Sequence, residues 1–258
     1  MKTRPVRKFC TSQGARGFTL VELMIALLIA LFLVGGLLTL VQAMKTTSLN
    51  QSGLSQLQES ERMAMTLMTD VIQSTGYFPM PPLTNTAGSV FPVSGSFTVA
   101  GQALVGTGNY ADAAPGNSIT VRYLTSGADN VINCLGNTRT VAATFVNTFS
   151  VDLPTQTLQC TLTVNGTASA PVPLISGVNS LNIYYGVQTN AAVGTNSVDA
   201  YLDAATVSAG NNWGNVKSVR ITLTLVNPLF GQAGQANVGQ FITFTRVIDV
   251  MNKTGVTT

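Results

Sequence analysis

Few side chains in this 258-residue sequence could take part in covalent or metal chemistry, and their types exclude more than they allow. There is no histidine, which removes the commonest general base and the commonest metal ligand together. The ten carboxylates are scattered, with no pair at a spacing that would chelate a metal or flank a glycosidic bond. Cys134 and Cys160 make a poor zinc site without histidine, and their separation is far from that of a C-x-x-C redox motif. No glycine-rich phosphate loop is visible. The expectation is a protein that is not an enzyme and that carries no cofactor and no metal.

One acid stands in an unusual place. Glu22 is the only charge in the run from Phe18 to Met44, which exceeds the ~20 apolar residues that span a bilayer. Burying a carboxylate there costs about 2.5 to 3.5 kcal/mol at mid-helix, so it needs a partner, and the run offers no cation. If the peptide bond after Gly17 were cut, Phe18 would gain a free amine that could neutralise Glu22 of a neighbouring copy. Gly17, lacking a side chain, would let the backbone enter a peptidase cleft closely. An ordinary secretory signal fits less well, because the apolar run is about twice the usual core length and Gln42-Ala43-Met44-Lys45 is a poor cleavage site. An uncleaved anchor stays open, with Lys2, Arg4, Arg7, Lys8 and Arg16 holding the leader in the cytoplasm. Those five cations account for the basic pI. From residue 17 onward eight cations face all ten acids, so no basic face is left for nucleic acid.

These residues need elements to position them. Beyond the apolar run, Leu54, Leu57, Ala64, Met65, Met68, Val71 and Ile72 recur at three- and four-residue steps, which predicts that the helix continues to about Ser74. That stripe is expected to pack on the protein's own sheet. From Phe18 to Ser74 the helix would be about 85 Å long, with Gly35-Gly36 as its weak point. Gly76 ends it, and Pro79, Pro81 and Pro82 prevent its resuming. From Tyr77 onward Thr, Ser, Asn, Gly and Val dominate. Alternation predicts strands over 117–124, 157–164, 178–187, 216–226 and 240–250. In the clearest, Val219, Ile221, Leu223 and Leu225 share one face, and the helix stripe is its expected cover. Thr189 to Gly214 reads as a loop, in which Trp213 serves as a core or loop anchor; an exposed tryptophan would mark a binding spot.

Gly17-Phe18-Thr19-Leu20-Val21-Glu22 after a basic leader resembles the prepilin processing site of type IV pilins and pseudopilins. The resemblance implies the type IV pilin fold, of the α+β class: a long amino-terminal helix, transmembrane and then amphipathic, packed on an antiparallel β-rich head. It implies cleavage after Gly17 by prepilin peptidase, N-methylation of Phe18, and a role for Glu22 in subunit docking. The divisions would be a leader over 1–17, a helix over 18–75 that spans the membrane over about 18–41, and a head over 76–258. Cys10 would leave with the leader. Cys134 and Cys160 would then face the oxidising periplasm, where a disulfide is the default.

A mature chain of 241 residues is longer than major pilins tend to be, and its layout is similar to PilW-like minor pilins. The features that carry this are Trp213 followed by Val216-Lys217-Ser218-Val219-Arg220-Ile221, and the closing strand from Phe241 to Val250. The implied partners are the prepilin peptidase, the inner membrane and its assembly platform, the major pilin, other minor pilins and a tip adhesin. The implied location is the inner membrane, as a single-pass protein with its head in the periplasm, and then the pilus, at its tip. Two alternatives stay open: a J-type minor pseudopilin of type II secretion, and a ligand-binding domain on a pilin anchor.

Overall fold

The structure, a computed structural model, describes residues 17–79, 86–108, 117–190, 197–232, 235 and 237–251. The leader up to Arg16, with Cys10, and the prolines at 81 and 82 lie outside the described residues. The chain divides into two compact units, Met1–Gln51 and Ser52–Thr258.

Helix α1 (Leu20–Gln73) runs without a break through Gly35-Gly36. It begins at Leu20, not Phe18, because Thr19 caps it: the Thr19 hydroxyl accepts the Glu22 amide at 3.3 Å, and the Thr19 carbonyl accepts the Leu23 amide at 3.2 Å. It ends where Gly76, at φ +72°, turns the chain and donates its amide to the Arg122 carbonyl at 2.9 Å. In the second unit Ala64, Met65, Met68, Val71 and Ile72 are buried, as their spacing predicted. Leu57 is partly buried against the same core.

After the short helix α2 (Ala87–Val90) come β1 (Leu104–Thr107), β2 (Ser118–Thr125), β3 (Ala143–Asp152), β4 (Thr157–Val164), β5 (Thr167–Ala168), β6 (Val172–Ser176), β7 (Val178–Val187) and β8 (Ala200–Leu202). Helix α3 (Ala204–Ala209), β9 (Val216–Val226) and β10 (Phe241–Asp249) complete the described elements. The strands form two antiparallel sheets. One has the order β1-β2-β3-β4-β5, with β6 also on β4; the other has the order β10-β9-β7-β8. Val219, Ile221, Leu223 and Leu225 of β9 are buried together, and they share one core with Met65, Met68 and Ile72 of α1 and with Tyr123, Phe145 and Phe149 of the first sheet. On the other face of the second sheet, threonine hydroxyls pair across strands, Thr222 with Thr245 at 3.1 Å and Thr224 with Thr243 at 3.4 Å.

The expected loop from Thr189 to Gly214 is corrected by the structure, which places β8 and α3 in it. Asp203 starts α3 by accepting the Thr206 amide at 2.8 Å. With three and six residues, these elements are too short for periodicity to reveal. Residues 191–196 of that stretch lie outside the described residues. Trp213 is an anchor: it is buried, stacks edge-to-face on Tyr185 with centroids 4.8 Å apart, and donates its indole N–H to Ser208 at 3.2 Å.

Candidate assembly site

The sequence points to the start of α1, and the structure shows what surrounds it. From Phe18 to Met44 every large apolar side chain is more than half exposed, with Phe18 at 80% and Phe32 at 82%. A face this wide is covered in a working molecule by lipid or by other helices. Gly17 is exposed, and nothing lies within 4 Å of where a Cβ would sit, so no packing among the described residues explains a glycine there. Glu22 stands in the first turn of the helix, where the partial positive charge of the unpaired amides favours a carboxylate. Thr19 was not singled out in the sequence, although Thr-x-x-Glu before an apolar run is the signature of this cap.

The head is tied together at three places. Cys134 and Cys160 are joined in a disulfide with Cα atoms 6.1 Å apart, both residues fully buried. It links the segment between β2 and β3 to the middle of β4. Beside it the buried Asn147 of β3 accepts the Cys134 amide at 2.8 Å.

Arg122 of β2 is the second tie. It is only 3% exposed, and among the described residues its guanidinium meets no carboxylate. It donates instead to the carbonyls of Gln102 at 2.7 Å, Pro92 at 2.8 Å and Phe91 at 3.1 Å. Its charge lies over the rings of Phe97, 4.1 Å from the centroid, and Phe91, at 5.4 Å. Burial lowers its pKa to about 10, still cationic at neutral pH. The effect is to clasp the segment from α2 to β1 onto the sheet.

The third tie is the Asp129 turn. Its carboxylate accepts the Thr125 hydroxyl at 2.5 Å and the Ser126 amide at 2.8 Å. Partial burial works to raise the Asp129 pKa, but these bonds and the Val131 amide outweigh it and hold the carboxyl below its usual range. Burial first, and then the Asp129 charge, push the Tyr77 phenol up. Asp129, Tyr77 and Asp70 line an open cleft. A second cleft is lined by Thr86, Gln102, Asn211 and Trp213. Neither brings a nucleophile beside a base, and among the described residues no cluster of acids and cysteines could hold a metal.

On the threonine-bearing face of the second sheet, Arg220 lies between the rings of Tyr184, at 4.7 Å, and Tyr201, at 4.6 Å. Under the opposite face, Tyr185 fills the core so closely that a Cβ on Gly106 would fall 1.8 Å from its hydroxyl oxygen. That hydroxyl is buried with no hydrogen-bond partner among the described residues.

Residues 140–254 match the family described as Type IV Pilus-assembly protein W, which takes in β3 to β10. Residues 13–38 match the prokaryotic N-terminal methylation motif, which takes in Gly17, Phe18 and Glu22. Among solved structures, a type IV-like pilin from Thermus thermophilus aligns at 12% identity and a TM-score of 0.42, over 76% of this chain and 98% of its own. No curated protein matches the chain.

Proposed function

We propose that this chain, a PilW-like type IV pilin, is the minor pilin that helps prime filament assembly at the tip of a type IV pilus. The observation that carries the reading is the presence in one chain of the methylation motif on residues 13–38 and the PilW match on residues 140–254. In this reading residues 1–17 are a leader that holds the precursor cytoplasm-side in, 18–75 form the helix, and 76–258 form a head exposed first to the periplasm.

Prepilin peptidase cuts after Gly17, and the new amine of Phe18 is methylated. Glu22 of one subunit then neutralises the amino terminus of the next while the apolar helices bundle. The desolvation of each charge is offset by the other, which makes the pair a register for docking. The uncovered apolar surface of α1 supports this account, since it demands lipid before assembly and neighbouring helices after it. The head, too large to repeat comfortably along a filament of smaller subunits, is placed at the tip, where it contacts other minor pilins and a tip adhesin. The work is mechanical and electrostatic, in keeping with the structural role of pilins.

The test is an in-frame deletion of the gene, with surface pili sheared and quantified and the major pilin followed on the same blot. Loss of pili with processed major pilin retained in the membrane is the expected result. Unchanged pili would overturn the priming role and favour a minor pseudopilin of a secretion system.

A further inference from the structure

We infer that the outer edge of β10 takes up an extended strand from another protein, one that places a carboxylate opposite Arg246. This goes beyond the tip role and needs only that the head meets a second polypeptide.

Where the main chain of β10 points follows from its pairing. At one end of the strand the Asn227 amide donates to the Gln240 carbonyl at 2.9 Å, and at the other the Val250 amide donates to the Lys217 carbonyl at 2.8 Å. Between them the register with β9 has no shift. In an antiparallel ladder, residues that bond the neighbouring strand alternate with residues that do not. The even-numbered residues of β10 therefore bond β9, and the amides and carbonyls of Phe241, Thr243, Thr245, Val247 and Asp249 point away from it. β10 ends its sheet, so no described strand receives them.

A long open edge is a template for a further strand, and folded proteins guard such edges with brevity, proline or a bulge. The other edges of this head are guarded. β1, β5 and β8 have four, two and three residues, and β6 carries Pro173 and a register shift against β4. β10 has nine residues, with no proline, glycine or shift.

Side chains on both faces of the strand say what would pair there. On the outer face Phe241 is 41% exposed and Val247 is 50% exposed. On the inner face Arg246 is half-buried, donates to the Thr69 hydroxyl of α1 at 3.4 Å, and meets no carboxylate among the described residues. A guanidinium so placed gains most from a carboxylate, which it binds through two parallel hydrogen bonds. A second copy of β10, paired antiparallel as a two-fold dimer requires, does not bring one. Its inner face carries Ile242, Phe244, Arg246 and Ile248, and its one acid, Asp249, lies on the other face. The added strand therefore belongs to a different chain. It bonds the outward main-chain groups, covers Phe241 and Val247, and carries an Asp or Glu on the inner face.

The test puts a photo-crosslinking phenylalanine analogue in place of Val247 in the full-length chain in intact cells, with the exposed Val141 as the control position. The expected result is an adduct with a second protein from position 247 and none from 141. Thr245→Pro removes an outward amide and no bond to β9, so it should abolish the adduct and barely move the urea midpoint of the purified chain. Phe244→Pro, which breaks the ladder, should lower that midpoint. Thr243→Glu with Thr245→Glu charges the same edge without proline and should abolish the adduct too, which keeps the test open if Thr245→Pro disturbs the fold. Arg246→Glu should lose the adduct and Arg246→Lys should keep it. An adduct that survives the edge variants would place the partner on the sheet face and overturn the proposal. So would a covalent dimer of this chain, survival of the adduct in Arg246→Glu, or no adduct from position 247.

Discussion

Replacing Arg122 by methionine tests whether a lone buried cation holds the head together. The side chain length is nearly kept, so the change removes three hydrogen bonds and two ring contacts without opening a large cavity. The three carbonyls do not suffer equally. That of Phe91 still takes the Gly101 amide at 2.8 Å, and Pro92 is exposed enough for water to reach it. The Gln102 carbonyl is buried and loses its partner, at about 2 kcal/mol. The weakened bonds at Phe91 and Pro92 add about 1 kcal/mol together, and the two ring contacts about another. These losses sum to about 4 kcal/mol. Relief of the desolvation of the buried charge, which is what lowers its pKa, offsets roughly half of that. The net loss is about 2 kcal/mol, and Tm falls by roughly 4 to 8 °C for a unit of this size. Urea titration of the full chain in detergent micelles, followed by the fluorescence of Trp213, measures it. A loss under ~1 kcal/mol would refute the clasp, and would mean that the segment from α2 to β1 is held by its own packing.

Further outcomes are expected. Replacing Glu22 by leucine leaves cleavage intact but removes the chain from sheared filaments, whereas Gly17→Val leaves unprocessed precursor on an immunoblot; normal incorporation of the first variant would end the pairing role of Glu22. Replacing Cys134 and Cys160 by serine lowers head stability by roughly 3.5 kcal/mol in the chain-entropy picture, read as a shift in the urea midpoint; an unchanged midpoint would mean the loop is already ordered when unfolded. Asp129, with a folded pKa below its unfolded value, contributes stability that is present above about pH 4 and is lost as pH falls through the folded value. Asp129→Asn should therefore flatten the acid limb of a stability–pH profile, and an unaltered limb would show that other carboxylates set it. Tyr185→Phe removes a buried hydroxyl with no partner and should be neutral or raise stability by up to about 1 kcal/mol; a clear loss on thermal unfolding would reveal a bound water there.

What could be read in advance follows from which forces repeat along the chain. The α1 stripe and the alternating faces of β4, β7 and β9 announce themselves because burial recurs with the period of the element, and their limits agree with the sequence reading closely. The strands over 117–124 and 240–250 are displaced or trimmed by a single residue at their ends, to Ser118–Thr125 and Phe241–Asp249. Strand β3 escaped because the buried Asn147 interrupts its run of inward apolar residues, and its reason for being there, the Cys134 amide, comes from another segment. Arg122 escaped for a similar cause: a cation in a strand reads as solvent-facing until the α2 to β1 segment folds over it. At the amino terminus Gly17, Phe18 and Glu22 were legible as a motif, whereas the cap by Thr19 was written in the same six residues and passed over.

The bare apolar length of α1 limits how the subunit can travel. Its large side chains from Phe18 to Met44, at ~1.5 kcal/mol or more each, would face water at a penalty on the order of 30 kcal/mol. In the proposed role a free, water-borne subunit is thus never populated, however fast assembly runs. Each helix would have to slide from lipid onto its neighbours through a continuous greasy contact, which would confine growth to a place where membrane and filament base touch.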